Sequence, residues 1–103
     1  MSAAGQALQV RKMDVRQLRY FIGVVEAGSF TAAAHRLGVA QPALGQTVIA
    51  LENDLGVELL EQPRGVRPTA AGMTLLDHAG IVLRNMERAR EAVSDAGGDI
   101  SVA

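Results

Sequence analysis

Few residues of this 103-residue chain are equipped for covalent or metal chemistry. It has no cysteine and only two histidines, His35 and His78, which lie far apart in the sequence. Neither has a neighbour at metal-ligand or catalytic spacing, and no carboxylate pair or Ser/His set supports an enzyme. No metal or other cofactor is therefore expected. What remains is hydrogen bonding by amides and hydroxyls, and charge carried by arginines. The stretch QPALGQTVIAL, from Gln41 to Leu51, holds two amides and no charge at all. A glutamine amide can pair bidentately with adenine N6 and N7, and an apolar surface can meet a thymine methyl. Gln41, Pro42, Gln46 and Ile49 are the candidates for such reading. Arg36, Arg64 and Arg67 lie outside the stretch and can neutralise phosphate. Ser29 and Thr31, near a helix start, can donate to phosphate alongside outward-pointing amides. Arg16 and Arg19 read as solvated surface.

Composition sets the frame for these groups. Apolar residues make up 49 % of the chain, which at this length implies one small domain with one core. No apolar run approaches the roughly 18–20 residues of a membrane span, and the opening lacks a signal-peptide pattern. No membrane partner and a cytoplasmic location are expected, nucleoid-associated when DNA is bound. The formal charge of −1 weighs against nucleic acid, since freestanding binders are usually basic. The charge is unevenly placed, however. Seven cations face six anions between Arg11 and Arg67, whereas three face five from Pro68 onward.

The elements that must position the candidates follow from periodicity and punctuation. Residues 1–12 are small and polar and read as a disordered tail, with Met13 an alternative start. Val15, Leu18, Phe21, Ile22 and Val25 fall on one helical face, with Asp14 as N-cap and Gly28 as stop. Ser29 caps a short alanine-rich helix, FTAAAHRL, that ends at Gly38. Three residues later the uncharged helix begins. Two helices joined by a tight glycine turn outline a helix-turn-helix over about 30–49. In the second of them Leu44, Val48, Leu51 and Leu55 face the core, and the candidate contact residues occupy the opposite side.

Beyond Gly56, two short apolar stretches flank QPRG, which predicts a small β-hairpin over about 58–68. Thr69 caps a last helix spanning about 70–96. Within it Leu75, Ala79, Val82, Met86, Ala89 and Val93 repeat at 4, 3, 4, 3 and 4, the signature of a heptad seam for dimerisation. Leu76 and Leu83 form a second stripe that can pack back on the first helix. Met73 and Met86 read as packing residues. Residues 97–103, GGDISVA, read as a hinge followed by the first strand of a further domain.

The segments RQLRYF, GSFTAAA, AQPAL, LENDLGVELLE and RGVRPTAAG, in this order and at this spacing, resemble the N-terminal region of LysR-type transcriptional regulators. The resemblance is collinear from Met13 to about Ala96, without gaps. It implies a mainly α fold: a winged helix-turn-helix head of three helices plus a small β-hairpin wing over 13–70, then a long linker and dimerisation helix over 70–96. It implies a bacterial, sequence-specific double-stranded DNA-binding regulator that acts as a dimer on an interrupted inverted repeat in promoters. Effector response would reside in a further C-terminal domain, absent here, and a tetramer would be expected where that domain is present. Gln41, Pro42, Gly45 and Gln46 stand at positions that contact DNA in the family.

Three positions depart from the family pattern. Ala40 stands where a capping Ser is frequent, at a cost of about 1 kcal/mol. Gly45 replaces a common Ser, costing roughly 1 kcal/mol of helix stability relative to Ala while permitting close backbone approach. Gln46 takes the place of a frequent Arg. These departures, with the near-neutral charge, keep a second reading open: a protein–protein interaction module on a winged-helix scaffold that has lost DNA binding.

Overall fold

The computed structural model describes residues 13–97. The tail expected over 1–12 and the strand expected within 98–103 lie outside the described residues. The described chain runs α1 (Val15–Ala27), α2 (Phe30–Leu37), α3 (Gln41–Leu55), β1 (Leu60–Glu61), β2 (Arg67–Pro68) and α4 (Ala70–Ala96). It is mainly helical, as the periodicity predicts.

Helix boundaries follow the capping chemistry. The Asp14 carboxylate accepts from the Gln17 backbone N–H at 2.8 Å, and the Gln17 side chain accepts from the Asp14 N–H at 3.0 Å. This reciprocal pair explains how Gln17, a polar residue, tolerates near-complete burial. Ser29 caps α2 by accepting from the Ala32 N–H, and α1, α2 and α3 end at Gly28, Gly38 and Gly56, all in the left-handed region. At the start of α3, Ala40 supplies no side-chain cap.

Two apolar clusters make the core. Val24, Ala33, Ala34, Leu44, Val48 and Val66 form one, which joins the first three helices to the hairpin. Phe21, Leu51 and Leu59 form the other, with Leu75 and Leu76 of α4 packed against it. Half-buried Leu60 belongs to the edge of both. Leu44, Val48 and Leu51 are buried as expected, but Leu55 is 39 % exposed, because the last turn of α3 runs past the end of the core before Gly56 stops it. Met73 and Met86 are likewise not packing residues within this chain. They are 53 % and 44 % exposed, since the inward sector of α4 is taken by Gly72, Leu75, Leu76 and Ala79.

The hairpin is antiparallel, with Leu60 opposite Pro68 and Glu61 opposite Arg67. It is joined to α4 through Thr69. The Thr69 hydroxyl accepts from the Gly72 N–H at 3.0 Å and donates to the Glu58 carbonyl at 2.6 Å, while its backbone N–H donates to the Leu59 carbonyl at 2.9 Å. One residue thus caps the helix and staples the strand before it. The Leu59 carbonyl sits so close to the first turn of α4 that a Cβ at Gly72 would collide with it, and would also crowd Pro68. Neither obstacle is a flexible side chain tip that could swing aside.

Helix α4 has two parts. Ala79 is 1 % exposed and Leu75 is half-buried, so these first two seam residues are already engaged within the protomer. Beyond them Val82, Met86 and Val93 are 42 %, 44 % and 71 % exposed. Gly72→Ala should destabilise the domain by about 1–3 kcal/mol or more, as overpacking against backbone does. A urea denaturation midpoint lowered accordingly, with unchanged slope, is the expected result.

Candidate nucleic-acid interface

Helix α3 has a buried rear and an open front. Leu44, Val48 and Leu51 anchor the rear at 0–1 % exposure, leaving Gln41, Pro42, Gln46 and Ile49 on the surface and Gly45 half-buried between them. The rigid packing of one side keeps the other in register. A Cβ at Gly45 would meet nothing within 4 Å, so the space in front of it is open and the backbone approachable. Ile49, at 55 % exposure, places bare aliphatic surface beside it. The Thr47 hydroxyl is occupied, donating to the Ala43 carbonyl at 2.9 Å.

Between α3 and the hairpin runs an open groove of about 470 Å³. Gln41, Pro42, Gly45 and Ile49 line one side, Leu60 and Gln62 the other, and Phe30 also borders it. Four of the five residues singled out on α3 are therefore brought together on one concave surface. Gln46 lies outside the groove lining but on the exposed side of the same helix. Arg36 at the end of α2, Arg64 in the hairpin turn and Arg67 on β2 are all exposed. The register sets Glu61 across from Arg67, so the two wing arginines differ: one is paired in the ladder with an acidic residue and the other lies in an open turn.

The hydroxyls are less free than the sequence suggests. Ser29 Oγ accepts from the Ala32 N–H and keeps its own hydrogen for donation. Thr31 Oγ1 donates to Gln41 Oε1 at 3.0 Å, so its one hydrogen is spent on a neighbouring side chain. An outward donation from Thr31 would have to replace this surface bond.

What sequence reasoning missed is the fixing of the wing. The Glu52 carboxylate accepts from the backbone N–H groups of Leu59 at 2.8 Å and Leu60 at 3.3 Å. The Val66 N–H donates to the Gly28 carbonyl at 3.0 Å, and the Val66 side chain is buried among α1, α2 and α3. Gly65, at φ 81°, brings the turn close to the same carbonyl. The hairpin is thereby tied to the turn between α1 and α2 and to the rear of α3. A signal for Glu52 was present: it follows Leu44 and Val48 at intervals of four, so it borders the core face, where a carboxylate must find donors.

Comparison with known proteins locates this arrangement. A family model described as bacterial regulatory helix-turn-helix protein, lysR family, matches residues 15–73. The nitrogen assimilation regulatory protein nac of Klebsiella aerogenes is 44 % identical over 95 residues, covering 87 % of this chain and 31 % of the relative. The HTH-type transcriptional regulator TcbR of Pseudomonas sp. (strain P51) is 48 % identical over 96 residues, covering 88 % of this chain and 33 % of the relative. The chain thus spans about a third of the length of these relatives. Among solved structures, the CbnR DNA-binding domain in complex with DNA is similar with a TM-score of 0.79 and 47 % identity, covering 82 % of this chain and 98 % of that one. The BenM DNA-binding domain on catB site 1 DNA gives a TM-score of 0.78 and 39 % identity, covering 81 % and 93 %.

Two substitutions of opposite sign test the construction of the site. Glu52→Ala should cost about 1.5–3 kcal/mol, the range for hydrogen bonds to a charged group, with Glu52→Gln costing less because one accepting oxygen remains. Gly45→Ala should stabilise α3 by about 1 kcal/mol and raise the thermal midpoint by roughly 4–8 °C, because the added methyl meets only solvent. Calorimetric melting of both variants checks the pair.

Proposed function

Because the chain belongs to the lysR family of bacterial regulatory helix-turn-helix proteins, we propose that it is the DNA-reading part of a transcriptional regulator, sequence-specific for double-stranded promoter DNA. The observation that carries this reading is the exposed, uncharged front of α3, held rigid by its buried rear and flanked by arginines on a wing tied to the same helix. Similarity to two domains crystallised with DNA supports it.

In this reading residues 13–70 form the DNA-binding head and 70–96 the linker helix. Gln41, Pro42, Gly45, Gln46 and Ile49 face base edges, where amides and aliphatic surface discriminate among base pairs. Ser29, Arg36, Arg64 and Arg67 neutralise or donate to phosphate, which supplies affinity without sequence information. Thr31 acts through Gln41. Two copies pair along the exposed seam of α4, at Val82, Met86, Ala89 and Val93, and set two heads on an interrupted inverted repeat. Effector response and tetramer formation belong to a further C-terminal domain, and the setting is cytoplasmic. Among the described residues no helix is long and apolar enough to cross a membrane.

The dimer should show a slope of roughly −4 to −7 in log K against log salt, from two to four phosphate contacts per subunit. Arg64→Ala should weaken binding to all duplexes alike and make that slope shallower by about 2 per dimer. Fluorescence anisotropy on promoter-like and scrambled duplexes measures both. Equal affinity for the two duplexes across salt overturns sequence-specific reading, and unchanged affinity in the Arg64→Ala, Arg67→Ala double variant favours the protein–protein module instead. Val82→Asp should convert the dimer to monomer in sedimentation equilibrium and weaken DNA binding at least tenfold, while thermal stability of the head is retained. A dimer that survives the substitution overturns pairing along this seam.

A further inference from the structure

We propose that Thr31 is a positioning residue that presets Gln41 as a hydrogen-bond donor, so that the base facing the start of α3 is a guanine rather than an adenine. The inference rests on the reading of α3 as the DNA-contacting helix and deepens it by naming what one side chain selects. Thr31 Oγ1 donates to Gln41 Oε1 at 3.0 Å, a bond between two surface side chains on different helices, ten residues apart. A carboxamide offers one accepting oxygen and two N–H donors. With Oε1 held toward Thr31 and one of its two lone pairs taken by the hydroxyl, the two Nε2–H donors are the groups this amide has wholly free for an incoming base.

The two purines demand different things of such an amide. Adenine presents an acceptor at N7 and a donor at N6, so the bidentate pair needs both a free oxygen and a free N–H. Guanine presents two acceptors, N7 and O6, which a donor alone satisfies. Among the described residues the Gln41 side chain makes no other hydrogen bond. In bulk water the Thr31–Gln41 bond exchanges readily with solvent; once DNA excludes water, the lower local dielectric strengthens it. Gln46 serves as an internal comparison. Among the described residues its side chain makes no hydrogen bond, so its amide is free to turn either end to a base, whereas the oxygen of Gln41 is already held by Thr31.

The experiment selects bound duplexes from a random pool with the full 103-residue chain, using wild type, Gln41→Ala, Thr31→Val and Thr31→Ser. Thr31 is exposed, so the near-isosteric Thr31→Val leaves the core untouched. Wild type should enrich guanine at one position per half-site, and Gln41→Ala should erase that preference alone. Thr31→Val should shift the same position toward adenine by about tenfold in the adenine-to-guanine ratio, within the discrimination a bidentate pair provides, while Thr31→Ser keeps guanine. Replacing that guanine by 7-deazaguanine should weaken wild type and not Gln41→Ala. A Gln41-dependent adenine in wild type, an unchanged preference in Thr31→Val, or no Gln41-dependent position overturns the inference alone. Enrichment of no sequence by wild type overturns the DNA-reading proposal, and this inference with it.

Discussion

The Glu52 carboxylate, accepting the N–H groups of Leu59 and Leu60, is the contact on which the geometry of the candidate interface turns. A two-residue antiparallel pair has too few ladder bonds and too little apolar area to hold itself in place. Its position is therefore borrowed. Glu52 fastens its first strand to α3, the Gly28 carbonyl fastens its turn to the corner between α1 and α2, and Val66 sinks into the core behind both. Wing and helix then move as one body, and the groove between them has a defined width.

This rigidity matters because the front of α3 carries no charge of its own. A helix of amides, a proline ring and aliphatic surface has little long-range attraction for a polyanion, so its contacts count only when it is delivered to the groove at the right depth. The guanidinium groups that would do the delivering sit on other elements: Arg36 on α2, and Arg64 and Arg67 on the hairpin. Their usefulness depends on the hairpin being fixed relative to α3. The near-neutral total is less of an obstacle than it looks, since the acidic excess falls on the part of the chain that continues away as α4. Glu61 opposite Arg67 keeps the wing from being strongly basic.

Helix α4 reconciles two demands on one amphipathic stripe. Its first three turns serve the head: Gly72 admits the Leu59 carbonyl, Leu75 and Leu76 close the Phe21–Leu51–Leu59 cluster, and Ala79 is sealed off. Past Ala79 the stripe continues with none of the described residues covering it, leaving Val82, Met86 and Val93 open. At 1.5 Å per residue a helix of 27 residues is about 40 Å long, more than so small a head can cover. The heptad spacing is continuous across both parts, so it cannot reveal where intramolecular packing gives way to a surface for a second copy.

Much of the architecture was legible because it is written in local rules. Asp14, Ser29 and Thr69 accept hydrogen bonds from helix starts, Gly28, Gly38 and Gly56 take the left-handed conformation at helix ends, and the spacing of Leu44, Val48 and Leu51 marks a buried face. Each of these depends on residues within a turn or two of one another. The uncharged front of α3 was legible for the same reason, as the complement of its apolar rear. Contacts between residues distant in sequence were not. The double use of the Thr69 hydroxyl, the steric need for Gly72, the exposure of Leu55 and Met73, the bracing by Glu52 and the capture of Gln41 by Thr31 all follow from which elements lie against which. A period of 3.6 residues says which side of a helix is apolar; only the packed arrangement says where the core ends, and which polar group is left to find a partner across the gap.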